Sequence, residues 1–138
     1  MKKLFVFLMA AGFLFSLAAN GQSSTWYETA DGQVSCKKIT IQGDKVKVVL
    51  DNGEKQLIPV ASVSSYFTED KLFVKRAIFT NGVKQEKFME FVKTRDGMSL
   101  FMFPDNGTYR YLVYKGDDLF VEVVDGNRDE FMKYFAII

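Results

Sequence analysis

The chain has 138 residues, 18 Lys and Arg against 17 Asp and Glu, one cysteine and no histidine. A single Cys36 excludes an internal disulfide framework and a cysteine-based metal cluster, and the missing histidine removes the commonest general base, metal ligand and partner of a serine or cysteine nucleophile. Basic residues never exceed two in a row, so the linear sequence carries no electrostatic footprint for nucleic acid or an anionic membrane.

In chain order, Lys2 and Lys3 supply a positive n-region, and Leu4 to Ala19 form an apolar run interrupted only by Gly12 and Ser16. The run is shorter than the roughly 20 apolar residues of a membrane-spanning helix. Ala19-Asn20-Gly21 then fits the small-x-small rule for cleavage. Residues 1–21 therefore read as a cleavable signal peptide, with the exported chain starting near Gln22; an uncleaved N-terminal anchor is the alternative. Without Lys2 and Lys3 the chain holds 16 basic and 17 acidic residues, a formal charge of −1. Cys36 stands too far beyond the apolar run to be a lipidation site, and reads as a small buried strand residue, with a reactive thiol as the alternative. Residues 22–32 read as a loose N-terminal segment and 33–138 as a single β-rich domain.

Turn formers punctuate that domain at Gln42-Gly43-Asp44, Asp51-Asn52-Gly53, Asn81-Gly82, Asp96-Gly97, Asn106-Gly107, Lys115-Gly116-Asp117 and Asp125-Gly126-Asn127. Asn-Gly and Asp-Gly mark hairpins, because both central residues of a type I′ turn need positive φ. Between them the residues alternate and are β-branched or aromatic, as strands require. Leu72, Val74 and Ile78 oppose Phe73, Lys75 and Phe79, while Met98 to Phe103 and Leu119 to Val124 are apolar on nearly both faces and predict strands covered on both sides. Pro59 cannot donate to a ladder, so the Ile58-Pro59 segment predicts a strand end followed by a turn. The fold class expected is all-β: an antiparallel meander of about seven to nine strands, forming a barrel, roll or sandwich. One short C-terminal helix closes it, with Asn127 as N-cap, Glu130 completing a variant capping box, and Phe131, Tyr134, Phe135 and Ile138 on one stripe.

Residue sets that carry chemistry are few. Glu69-Asp70, Asp117-Asp118 and Asp129-Glu130 pair carboxylates, as glycosidases do, but each pair sits where turn chemistry or a helix dipole explains it. A hydrolase reading requires two of Glu69, Asp70, Glu86, Glu90, Asp117, Asp118 and Glu122 to converge. Asp51-Asn52-Gly53-Glu54 and Asp105-Asn106-Gly107 lack the ligand spacing of a calcium loop, and no phosphate loop is present. No metal site and no cofactor are expected. The positive feature is aromatic: 14 Phe and 6 Tyr. Tyr109, Arg110, Tyr111 and Tyr114 are the candidate surface for a ligand or partner, since Tyr and Arg are enriched where partners dock. The competing reading makes these tyrosines cross-strand pairs that stiffen the sheet.

The run Phe88-Met89-Glu90-Phe91-Val92-Lys93 with Gly97-Met98-Ser99-Leu100-Phe101, then Tyr114-Lys115-Gly116-Asp117-Asp118-Leu119, resembles small secreted, strand-rich proteins of Bacteroidetes-type bacteria. Gly43-Asp44-Lys45-Val46 and the Ile58-Pro59 segment join the similarity, which departs at Phe101, where the pattern commonly has Tyr. The resemblance implies a β-rich fold and a periplasmic or envelope location, and no activity. Phe131 to Ile138 does not resemble the sorting domains of surface-exported proteins in that group, which favours the periplasm. The sequence thus leads to an exported, non-catalytic envelope protein, periplasmic or secreted, with a binding or structural role and an unknown protein or small ligand as partner. It predicts no nucleic-acid partner and no integral membrane segment after cleavage, with a carboxylate-dependent glycan hydrolase as the alternative.

Overall fold

The computed structural model describes residues 24–137; the expected signal peptide and Ile138 lie outside the described residues. The strands are β1 (Thr25–Thr29), β2 (Gly32–Cys36), β3 (Lys38–Gln42), β4 (Lys45–Val49), β5 (Lys55–Pro59), β6 (Val63–Thr68), β7 (Lys71–Thr80), β8 (Val83–Arg95), β9 (Met98–Asp105), β10 (Thr108–Lys115) and β11 (Asp118–Val123). A 3-10 turn, Val60–Ser62, follows Pro59, and one helix, α1 (Arg128–Tyr134), follows β11. The protein is all-β and antiparallel with a short helix near its C-terminus, as the turn spacing predicts. Among the described residues no strand order closes on itself, so they form no closed barrel. No helix among the described residues is long and apolar enough to cross a membrane.

Among the described residues eleven strands form where about seven to nine are predicted. Part of the surplus is β1, which lies in a segment read as loose. Glu69 and Asp70 both hold positive φ, 52° and 63°, as Asp96 and Gly97 do at 51° and 78°, but neither Glu69 nor Asp70 is the glycine that removes the Cβ penalty there. Residues 22–32, predicted to be loose, contain β1: Trp26 and Tyr27 are buried, and the segment pairs on both sides, with β2 and β6. Large aromatic side chains outweigh the polar residues around them once tertiary contacts form.

The described chain divides into two compact units between Leu72 and Phe73. The first unit carries the strand orders β6-β1-β2 and β3-β4-β5. Trp26 stacks on Phe67 with ring centroids 6.0 Å apart, and Val46, Val48 and Val63 are fully buried. Ile39 faces Val48 and Ile41 faces Val46 across the β3–β4 ladder, so these four apolar residues fall on one side of that sheet. Cys36 ends β2 and is buried. Desolvation first, then the neighbouring Asp51 carboxylate, pushes its thiol up to about 11.

The second unit is a meander in the order β11-β10-β9-β8-β7, with different apolar clusters on its two faces. On one, Ile78, Met89, Phe101, Leu112 and Tyr114 pack with Val74, Phe91, Phe103 and Leu119; this is the aromatic face. On the other, Leu100, Val113 and Val123 pack with Met132 and Phe135 of the α1 region; this is the helix face. β9 is therefore covered on both sides, as its apolar run predicts. β11 is not: it is the outermost strand, a bulge shifts its register beside Val113 and Tyr114, and Phe120 is half exposed. Asn127 occupies the N-cap position of α1 without a side-chain bond to the helix. Its Oδ1 instead accepts from the Val124 N–H at 2.7 Å and its Nδ2 donates to the Glu122 carbonyl at 3.2 Å. The expected capping box is replaced by a clamp on the end of β11, and Met132 is buried beside the predicted stripe.

Candidate functional site

The ladder registers of the second unit decide which side chains meet. Tyr109 lies opposite Pro104 and Tyr111 opposite Met102, whereas Arg110 lies opposite Phe103 and Tyr114 opposite Ser99. Alternation along β10 therefore divides the four residues singled out in the sequence. Tyr109 is 60% exposed. Tyr111 packs in the helix-face cluster, with the Arg128 guanidinium 5.5 Å from its ring centre. Tyr114 is wholly buried, its ring edge-on to Phe101 and its hydroxyl donating to the Ala77 carbonyl at 2.8 Å. It belongs to the core, and no partner reaches it without unfolding the sheet.

Arg110 stands at the border of the aromatic face. Its guanidinium lies 5.2 Å from the centre of the Phe103 ring and donates through Nε and Nη2 to both oxygens of Glu122, at 2.9 and 2.7 Å. Nη1 reaches Asp105 at 3.3 Å. Hydrogen bonding to Glu122 is the largest influence holding its pKa above the ordinary arginine value, with Asp105 adding to it. A two-point carboxylate fork fixes the plane of the guanidinium, which a lysine does not do.

Beside this clamp a cleft of about 260 Å3 opens. Ile78, Phe103 and Pro104 supply its apolar lining, and Thr80, Gln85, Lys87, Asp105 and Arg110 its polar groups. β7 and β8 are 10 and 13 residues long and β9 and β10 are 8 each. The free end of the longer hairpin thus brings Thr80, Gln85 and Lys87 to the cleft. Lys87 sits opposite Arg76 across the β7–β8 ladder, an arrangement that repels. Arg76 leans away, 5.0 Å above Phe101 and 5.8 Å from Tyr114, and binds Asp117 at 3.1 Å. Lys87 is left exposed, with no ion-pair partner among the described residues.

Of the seven carboxylates weighed for hydrolysis, the five in this unit do not gather on one face of it. Glu86 and Glu90 lie opposite Ala77 and Phe73 on the helix-face side, and Glu122 lies opposite Leu112 on the aromatic face. Asp117 is in a turn and bound to Arg76, and Asp118 opens β11 opposite Lys115. Glu69 and Asp70 form the turn after β6. Among the described residues no group of three or more Cys, Asp or Glu is placed to hold a metal ion.

Of the four residues named from the sequence, only Arg110 lines the cleft. Thr80, Gln85, Lys87, Phe103 and Asp105 went unrecognised as site residues. The usable signal was strand length: the alternation from Leu72 to Thr80 and from Val83 to Arg95 outruns that of the next hairpin, so its tip overhangs. No protein-family model, curated protein or solved structure matches the chain.

Proposed function

We propose that the protein is an exported, non-catalytic binding protein of the cell envelope, and that the cleft beside Arg110 receives one small polar ring or side chain of its ligand. The observation that carries this reading is the cleft itself, with Ile78, Phe103 and Pro104 as apolar surface and Lys87 as an uncommitted cation. Binding sites pair an apolar lining with a few placed polar groups. At about 260 Å3 the space suits a group the size of one sugar ring or amino-acid side chain, below the roughly 300–1,000 Å3 of sites that enclose whole drug-sized ligands. Lys87 recommends a carboxylate or another acidic substituent on that group.

Arg110, already engaged by Glu122 and Asp105, acts as a rigid wall and hydrogen-bonding edge, not as a free cation. Export rests on the reading of residues 1–21 and on the resemblance to secreted proteins. The hydrolase alternative needs two cooperating carboxylates across a bond, and the division of Glu86, Glu90 and Glu122 between two faces speaks against it. The test is a ligand screen by amide chemical-shift mapping, with acidic and neutral monosaccharides, disaccharides and dipeptides. Shifts confined to Thr80, Gln85, Lys87, Asp105 and Arg110, lost in Lys87→Ala, support the reading. Turnover of a glycan, abolished by amide replacement of a carboxylate, contradicts it.

A further inference from the structure

Strand pairing in the first unit collects charges that are dispersed along the chain. Across β3, β4 and β5 the register forms three rows: Lys38, Val49 and Lys55; Thr40, Lys47 and Leu57; Gln42, Lys45 and Pro59. Directly paired residues project to the same side of a sheet. All nine therefore share the face opposite the fully buried Val46 and Val48. Lys38, Lys45 and Lys55 are exposed, Lys47 is half-buried at the centre, and Leu57 beside it is 64% exposed. None of the nine is acidic. Among the described residues none of the four lysines has an ion-pair partner, and the nearest acids in the chain, Asp44 and Glu54, stand in the turns that bound the face.

A surface with a purely solubilising role interleaves both signs. Four lysines with no ion-pair partner among the described residues repel one another on so small a sheet. A shallow depression of about 350 Å3, lined by Gln42, Lys47, Lys55, Gln56 and Leu57, lies on this part of the sheet. It joins two of the cations to the exposed leucine.

We infer that this face docks on the surface of an anionic phospholipid bilayer. Lysines are compact charges on flexible stems, suited to fluid, non-directional phosphate headgroups, whereas ordered phosphates favour the arginine fork. Leu57, ringed by cations, is placed to enter the headgroup layer, the pairing of apolar residue and basic rim that interfacial segments use. Single-stranded nucleic acid calls for aromatic stacking platforms, and none of the nine residues is aromatic. This surface lies in the first unit and is independent of the proposed ligand cleft.

The test is sedimentation of the chain from Gln22, which holds every described residue, with vesicles of phosphatidylcholine alone or mixed with phosphatidylglycerol. Binding is expected only with phosphatidylglycerol, weakening at least about tenfold as salt rises from about 0.1 to about 0.5 M. Each single Lys→Gln substitution at 38, 45, 47 or 55 lowers the partition constant about fivefold. Leu57→Ala lowers it further, and Lys133→Gln leaves it unchanged. The quadruple Lys→Arg variant retains binding. Should the quadruple Lys→Gln variant misfold, spin-labelled lipid decides with the native chain: broadening must centre on amides of β3 to β5. Equal binding to neutral vesicles, broadening centred elsewhere, no binding, or tighter binding to heparin or oligo-dT than to vesicles overturns the inference.

Discussion

Replacing Tyr114 by Phe removes one oxygen from the fully buried centre of the aromatic face while leaving the ring against Phe101. What is lost is the 2.8 Å hydrogen bond to the Ala77 carbonyl. A buried bond of this kind contributes about 1 kcal/mol, and stranding its acceptor adds to the cost, so Tyr114→Phe should destabilise the protein by about 1–2 kcal/mol near neutral pH. The hydroxyl also carries a pH signature. Burial pushes its pKa from 10.0 up to about 12. The unfolded tyrosine loses its proton first, so the stability tied to this shift is complete below pH 10.0, declines above it and is gone as pH passes about 12. The gap between the native chain and Tyr114→Phe therefore narrows, by roughly 1 kcal/mol at about pH 11. Tyr66, also pushed up to about 12 by burial, titrates in both proteins and cancels. Urea unfolding followed by far-ultraviolet circular dichroism, which reports the strands of the second unit as well as the first, gives both numbers across neutral to alkaline pH. A gap that is negligible near neutral pH, or that stays constant into the alkaline range, refutes the argument.

Phe135→Ala, at a fully buried contact between the α1 region and the helix face, should cost about 3–5 kcal/mol in urea unfolding; a loss under about 1 kcal/mol would mean that this region does not hold that face. Glu122→Gln breaks the charge pairing of the Arg110 fork, and the half-exposed setting keeps the expected cost near about 1 kcal/mol, with ligand shifts at Arg110 weakened in the same sample. Cys36, buried and with its thiol pushed up to about 11, should react with a thiol reagent at mildly alkaline pH only as fast as the structure opens; reaction at the rate of a free thiol would show an accessible one.

The sequence made the class of fold legible because its Asn-Gly and Asp-Gly turns report backbone geometry directly, as the positive φ values at Asn81, Asp96 and Asn106 show. The Glu69-Asp70 pair reads as a turn, and both residues are left-handed there although neither is a glycine. β1 escaped because the burial of Trp26 and Tyr27 is a tertiary fact. The helix stripe was visible, but Asn127 was assigned to the wrong partner: capping competes with other local hydrogen bonds, and here the end of β11 wins. For the site, alternation alone separated Arg110 from Tyr109 and Tyr111. The burial of Tyr114, the meeting of Lys87 with Phe103 and Asp105, and the lysine face of β3 to β5 depend on register between strands, which a single chain does not print.

Amide chemical-shift mapping of the chain from Gln22 tests the binding claim most directly, with acidic sugars and acidic dipeptides as probes. The account predicts saturable shifts concentrated at Thr80, Gln85, Lys87, Asp105 and Arg110, abolished by Lys87→Ala in a protein whose unfolding is unchanged. Saturable binding that leaves these five positions unmoved, or signals from a cleaved product growing in during the titration, would contradict it.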